Sequence, residues 1–144
     1  MPFFIKGGTQ IGEEKGEKLS PITQKLDAII LLVIPKVRIS TEWAYSQIKN
    51  KLKSDNSILR FADLMRKDFL SFKFFENDFE KIVIPAYPEI GSIKNKLLDS
   101  GAKFASLSGS GSTVFGIFNS IQKAKLTLRE FSNYQTFIAS PVYR

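Results

Sequence analysis

The stretch with the most legible chemistry is Leu107-Ser108-Gly109-Ser110-Gly111-Ser112-Thr113-Val114-Phe115. Two glycines separated by one residue let a backbone approach an anion closely and aim successive N–H groups at it. Ser108, Ser110, Ser112 and Thr113 add hydroxyl donors around them. The chemistry this suits is the holding of phosphate oxygens. The loop lacks the Gly-Lys-Ser/Thr of a P-loop. It is not a dinucleotide fingerprint either, because a strand-forming run rather than a helix follows it. Taken alone, it reads first as a Gly/Ser turn between two strands.

Three further segments carry residue types of interest. Pro35 to Tyr45 (PKVRISTEWAY) sets Ser40-Thr41 at a strand end, just before Trp43 and Tyr45. Those rings can offer a face to a planar base, a contact worth roughly 1–3 kcal/mol. The plainer reading is a capped amphipathic helix with its aromatics in the core. Asn77-Asp78-Phe79-Glu80 reads as an ordinary Asx-capped helix start with a carboxylate in the first turn. A metal site there would need more carboxylates nearby, and the local sequence offers no such cluster. Pro2 to Gly8 (PFFIKGG) reads as a strand running into a glycine turn.

Composition narrows the chemistry further. The chain of 144 residues has no cysteine and no histidine. Disulfides, thiolate nucleophiles, Cys-ligated metals and Ser-His-Asp or Cys-His enzymes are therefore excluded for this chain alone. Its 21 Lys and Arg against 14 Asp and Glu leave a net charge of +7. That balance favours anionic partners in general, such as nucleotide phosphates, nucleic acid or acidic lipid. The lysines are scattered rather than blocked, so a solvated basic surface is the first reading. The most apolar run, Ala28 to Ile34, is seven residues, far short of the ~20 a bilayer needs. No signal peptide is legible, and the expected compartment is the cytosol.

The elements that must position these residues follow from periodicity. Phe3-Phe4-Ile5 and Thr9-Gln10-Ile11 predict short extended segments among Gly7, Gly8, Gly12 and Gly16. Leu26 to Ile34 predicts a buried strand ending at Pro35. A helix follows the Ser40-Thr41 cap, with Ala44, Ile48 and Leu52 in phase, and breaks at Asp55-Asn56. A second helix is expected over 57–71, and a third from Asn77-Asp78 to Ile84, stopped by Pro85. A fourth runs from Pro88 to Gly101. Strands over 103–107 and 113–118 flank the Gly/Ser turn, then a helix over 121–131 and a strand over 135–139. The expected class is α+β: a ferredoxin-like split βαβ sheet with a helical insertion.

Taken in order, the four segments resemble the carboxy-terminal half of the 4-diphosphocytidyl-2-C-methyl-D-erythritol kinases, a branch of the GHMP (galactokinase, homoserine, mevalonate, phosphomevalonate) kinase superfamily. Pro2-Phe3-Phe4 with Gly7-Gly8 resembles its Asp-Val-Pro-Phe-Phe segment. Gly12 to Leu19 resembles its Gly-x-Gly-Glu-x-Leu stretch, with Glu13-Glu14-Lys15 lengthening the glycine spacing. Ser40-Thr41 with Ala44-Tyr45 resembles Ser-Thr-x-x-Ala-Tyr, and Asn77 to Glu80 resembles Asn-Asp-Leu/Phe-Glu. Leu107 to Phe118 resembles the third GHMP motif, Ser-Gly-Ser-Gly-x-x-Val-Phe-x-x-Phe.

The resemblance implies ATP-dependent phosphorylation of the 2-hydroxyl of a cytidine-diphosphate-linked methylerythritol, in non-mevalonate isoprenoid biosynthesis. It implies that Tyr45 stacks on the cytosine with Thr41 beside it. It implies that Ser108, Gly109, Ser110, Gly111, Ser112 and Thr113 support the site around the transferring phosphoryl group. Glu42 must then point away from a dianionic ligand. It places residues 1–23 as a remnant of the amino-terminal domain or interdomain ribbon, and 24–144 as the carboxy-terminal domain.

In the family, the ATP glycine loop, a catalytic Lys and a catalytic Asp lie in an amino-terminal half, that Asp two residues before the proline matching Pro2. Only Met1 precedes Pro2 here. The expectation is therefore no catalytic residue and no metal ligand in this chain, which would be inactive without its amino-terminal half. ATP and Mg2+ belong to the parent enzyme and are not held by this chain alone. An exposed interdomain face leaves room for self-association. A bacterial cytoplasm is the implied location, or a plastid for a plant or algal source.

Two other readings stay open. One is a ferredoxin-like anion- or nucleotide-binding regulatory module without catalysis. The other is an RNA-binding sheet. TVFGIF lacks the basic start and spaced aromatics of an RNP1 strand, so no nucleic-acid partner is expected, and no membrane.

Overall fold

In the computed structural model the described residues are 7–15, 17–22, 27–49 and 75–142. The strand expected at Phe3-Phe4-Ile5 and the helix expected over 57–71 lie outside them. The chain divides into two compact units.

In the first unit, strands β1 (Thr9–Glu13) and β2 (Lys18–Ile22) form an antiparallel hairpin, with Glu13 paired to Lys18 at its closed end.

The second unit carries the glycine loop. Its elements are β3 (Ile29–Ile34), α1 (Thr41–Ile48), α2 (Glu80–Ala86), α3 (Pro88–Asp99), β4 (Phe104–Leu107), β5 (Val114–Phe118), α4 (Ile121–Arg129) and β6 (Gln135–Ala139). The sheet order is β4-β5-β3-β6, with every neighbouring pair antiparallel. β3 and β4 therefore run parallel with β5 between them, and β5 and β6 run parallel with β3 between them. These are the two interleaved βαβ units of the split βαβ pattern, so the α+β class read from the sequence is the one the chain adopts.

β3 explains its own place. Six residues of Ile, Leu and Val suit a central strand with both neighbours filled. Alternation sends Leu31 and Val33 to one face, where both are fully buried. Val114 and Phe118 of β5 and Ala105 and Leu107 of β4 join them there. α3 supplies Ile90, Ile93 and Leu97, and α4 supplies Ala124. Each such aliphatic side chain gains roughly 1.5–3 kcal/mol on full burial.

α1 runs to Ile48 and is capped by Lys49, whose N–H donates to the Tyr45 carbonyl; Leu52 and the expected break at Asp55-Asn56 lie outside the described residues. α2 does not stop before Pro85 but runs through it to Ala86. Pro85 lacks the N–H that would close on Lys81. Two residues further on, the Tyr87 N–H still reaches the Val83 carbonyl at 2.8 Å. Losing one rung in the last turn of so short a helix leaves the turn intact.

Candidate functional site

The glycine loop is residues 108–113, between β4 and β5. It is closed at its neck by the Ser108 N–H donating to the Thr113 carbonyl at 2.8 Å, and inside by Gly111 N–H to the Ser108 carbonyl at 3.0 Å. Gly109 and Gly111 have φ of 56° and 100°, which L side chains rarely adopt. At Gly111 a Cβ would also stand 2.8 Å from Ile39 Cδ1 and 3.1 Å from Leu107 Cδ1. The loop therefore needs glycine there for both conformation and space. Ser108 and Gly109 are exposed, while Ser110 to Thr113 are half-buried.

What fixes this loop comes from a distant segment. The Asn77 side-chain amide donates to the Leu107 carbonyl at 2.7 Å and to the Gly109 carbonyl at 2.8 Å. Its Oδ1 accepts from the Phe79 N–H at 3.0 Å, which closes an Asx turn at the head of α2. One turn on, Glu80 Oε1 accepts from the Leu107 N–H and from the Ser106 hydroxyl, both at 2.9 Å. Leu107 is thus held at its N–H by Glu80 and at its carbonyl by Asn77. Lys94 of α3 completes the arrangement with Nζ 2.6 Å from Glu80 Oε2. The Glu80 and Lys94 side chains keep only 14% and 28% of their exposure. Burial pushes the Glu80 carboxyl up. The Lys94 ammonium, the Leu107 N–H and the Ser106 hydroxyl outweigh it and hold the carboxyl below its ordinary value.

The aromatic pair of PKVRISTEWAY separates. Residues two apart on a helix point to different faces. Trp43 packs edge-on against Tyr87 at 5.8 Å and joins the core, whereas Tyr45 is 53% exposed. The Tyr45 ring meets Phe79 edge to face, with centroids 5.0 Å apart. Ser40 caps α1 by accepting the Trp43 N–H at 3.2 Å, which puts Thr41 in the first turn. Thr41 Oγ1 lies 3.5 Å from the Ser110 hydroxyl of the glycine loop.

Tyr45, Phe79, Asn77 and Gly109 line one open cleft of about 540 Å³, together with Ile48, Lys49, Glu76 and Asp78. This is within the ~300–1,000 Å³ range of small-molecule sites. Of the expected site residues, Tyr45 and Gly109 share the cleft wall; Thr41, Ser108 and Ser110 to Thr113 do not line it, and Thr41 meets the loop at the Ser110 hydroxyl. Glu42 is exposed and does not line the cleft. The cleft wall offers the Tyr45 and Phe79 rings and the Gly109 backbone of the glycine loop, with Lys49 as its cation and Glu76 and Asp78 as its carboxylates. Among the described residues, no group of three or more Asp or Glu stands close enough to hold a metal ion.

The carboxy-terminal family model of the GHMP kinases matches residues 47–135, most of the chain and all of the glycine loop. The chain belongs to the GHMP kinase C-terminal family. Curated relatives sharpen the placement of this GHMP domain. It is 39% identical over 141 residues to the 4-diphosphocytidyl-2-C-methyl-D-erythritol kinase of Thermodesulfovibrio yellowstonii, covering 93% of this chain and 50% of that protein. It is 41% identical over 131 residues to the kinase of the same name from Bacteroides fragilis, covering 90% and 46%. The chain spans about half the length of the curated relatives it matches. The fold is shared with a crystal structure of 4-(cytidine 5'-diphospho)-2C-methyl-D-erythritol kinase, at TM-score 0.68 and 20% identity over 95% of this chain and 51% of that one. It is also shared with homoserine kinase from Cytophaga hutchinsonii, at TM-score 0.59 and 16% identity over 99% and 50%.

Phe79, Glu80 and Lys94 carry structural roles that local reading of the sequence missed. Asn77-Asp78-Phe79-Glu80 reads as an Asx-capped helix start; α2 begins at Glu80 with Phe79 as its N-cap and no side-chain cap, and Asn77 closes the Asx turn just ahead of it. The segment's side chains also reach across 30 and 27 residues to Leu107. The ordered recurrence of the four segments was the only signal that tied it to the loop. Lys94 gave none, because its partner Glu80 lies on another helix.

Proposed function

We propose that this chain is the substrate-binding half of an ATP-dependent kinase that phosphorylates the 2-hydroxyl of 4-diphosphocytidyl-2-C-methyl-D-erythritol, a step of non-mevalonate isoprenoid biosynthesis. The observation that carries the reading is the shared cleft, whose wall holds both Tyr45 and Gly109 of the glycine loop. The names of the relatives support the same substrate.

In this reading Tyr45 stacks on the cytosine and Phe79 backs the ring. Thr41 and Ser110 present hydroxyls between the base and the loop. The loop, Ser108 to Thr113, offers backbone N–H groups and hydroxyls to phosphate oxygens. These groups act by positioning and by electrostatic stabilisation, which is most of what phosphoryl transfer asks of a protein. ATP, when bound, supplies the transferring phosphoryl group. The small, hydroxyl-rich loop itself carries no carboxylate; in the cleft beside it Glu76 and Asp78 oppose an anion and Lys49 favours one, so the phosphates are assigned to the loop rather than to that wall. Mg2+, which usually rides on substrate phosphates with one or two carboxylates and several waters, is assigned to the parent enzyme rather than to these residues. The proton acceptor for the 2-hydroxyl and the main ATP loop are assigned to an amino-terminal half that acts with this one.

The test is a coupled ATP-turnover assay with 4-diphosphocytidyl-2-C-methyl-D-erythritol. It is run on this chain alone and on this chain with an amino-terminal half of the same enzyme type. Turnover in the mixture and none in the chain alone is the expected result. Turnover by the chain alone would overturn the assignment of the base. No turnover in either, with both halves folded, would favour a binding module without catalysis.

A further inference from the structure

Leu107 is the last residue of β4, and its peptide groups set the direction in which the glycine loop leaves the sheet. Both are tied to α2. The N–H goes to Glu80 at 2.9 Å and the carbonyl takes the Asn77 amide at 2.7 Å. The second Asn77 hydrogen bond, to the Gly109 carbonyl at 2.8 Å, fixes the loop two residues further on. Carbonyls so held are kept from turning toward an anion, and the loop N–H groups other than those of Ser108 and Gly111, which bond within the loop, are left to face one. Asn77 is an uncharged donor, so it adds nothing that attracts an anion directly. Its neighbour Phe79, tied to it by the Asx turn, contacts Tyr45.

We propose that Asn77 is a positioning residue for ligand binding: it fixes the glycine loop through the Leu107 and Gly109 carbonyls, while Glu80, braced by Lys94, fixes the other side of Leu107. One short segment thereby sets the loop relative to the Tyr45 ring and favours ligands that carry both a planar base and phosphates. The first part stands on geometry alone. The second rests on the function proposed above.

Asn77→Asp separates the roles. It keeps an oxygen for the Phe79 N–H and replaces the donating amide by an acceptor that repels both carbonyls. Asn77→Ser is the uncharged companion: its hydroxyl can hold the Phe79 N–H but is too short to reach Leu107. Amide exchange is followed by NMR in all three proteins. Ten-fold or faster exchange at Ser108 and Gly111 in both variants is expected, with amides of the β3–β5 ladder changed by less than about two-fold. Loop exchange unchanged in the Ser variant, or accelerated across the whole sheet, would overturn the positioning role.

Cytidine 5'-diphosphate and cytidine are then titrated into each protein. A loss of at least ten-fold in diphosphate affinity, with cytidine changed by less than about three-fold, is expected. Equal losses for both, or none, would overturn the link to phosphate binding. If the unmodified chain binds neither probe while loop exchange still responds, the positioning of the loop stands and the proposed substrate falls.

Discussion

Tyr45 of α1 and Phe79 at the head of α2 meet edge to face at 5.0 Å, although the sequence holds them 34 residues apart (79 − 45). The contact sets the two rings nearly perpendicular, at 82°, in the cleft wall and leaves Tyr45 half exposed. Edge-to-face pairs contribute roughly 0.5–1.5 kcal/mol beyond their area, enough to orient an exposed ring that is otherwise free to turn.

Tyr45→Ala is therefore expected to lower affinity for a cytidine nucleotide by about ten-fold or more, the loss of one stacked base. Folding stability should fall by about 1 kcal/mol or less, because the ring is half exposed. Tyr45→Phe should keep most of the affinity. Calorimetric titration and a melting curve on each variant check both statements.

The two glycines of the loop are expected to differ. At Gly109 nothing stands within reach of an added Cβ, so Gly109→Ala meets only its positive φ, a cost of about 1–2 kcal/mol. At Gly111 the Cβ collides with Ile39 and Leu107 as well. Gly111→Ala should cost roughly 2–4 kcal/mol. Denaturant midpoints rank the two, and equal losses would mean that the loop can relax around residue 111.

Much of this domain was legible in the sequence. The apolar run of β3, the Ser40 cap, Pro88 at the start of α3 and the Gly/Ser turn each mark an element by local chemistry, and the structure places them there. The exit of Trp43 into the core and of Tyr45 into the cleft follows from helical spacing once α1 is granted. The Leu107 clamp was not legible, because hydrogen bonds from Asn77 and Glu80 to a strand far along the chain leave no periodicity. Pro85 misled for a related reason: its penalty is smallest in a last turn, and sequence alone does not show which turn is last.

The pair Glu80–Lys94 gives the fold a defined response to acid. The folded-state carboxyl of Glu80 sits below its ordinary value. Its contribution is therefore fully present above the ordinary carboxylate range and is lost as pH falls through that range and the lower folded value. Glu80→Gln removes the charge and should cost about 1–3 kcal/mol at pH 7. The gap in melting temperature between the two proteins should narrow as pH falls below ~4. A gap that stays constant down to pH 3 would show that the carboxylate charge contributes nothing there.

The central claim is that Tyr45 and the glycine loop form one site for a cytidine diphosphate ligand. The most direct measurement is a calorimetric titration of this chain and of its Tyr45→Ala and Gly111→Ala variants with 4-diphosphocytidyl-2-C-methyl-D-erythritol. Saturable one-to-one binding by the unmodified chain, weakened at least ten-fold by either substitution, is the predicted result. Binding that neither substitution changes, or no saturation by the unmodified chain at millimolar ligand, would contradict it.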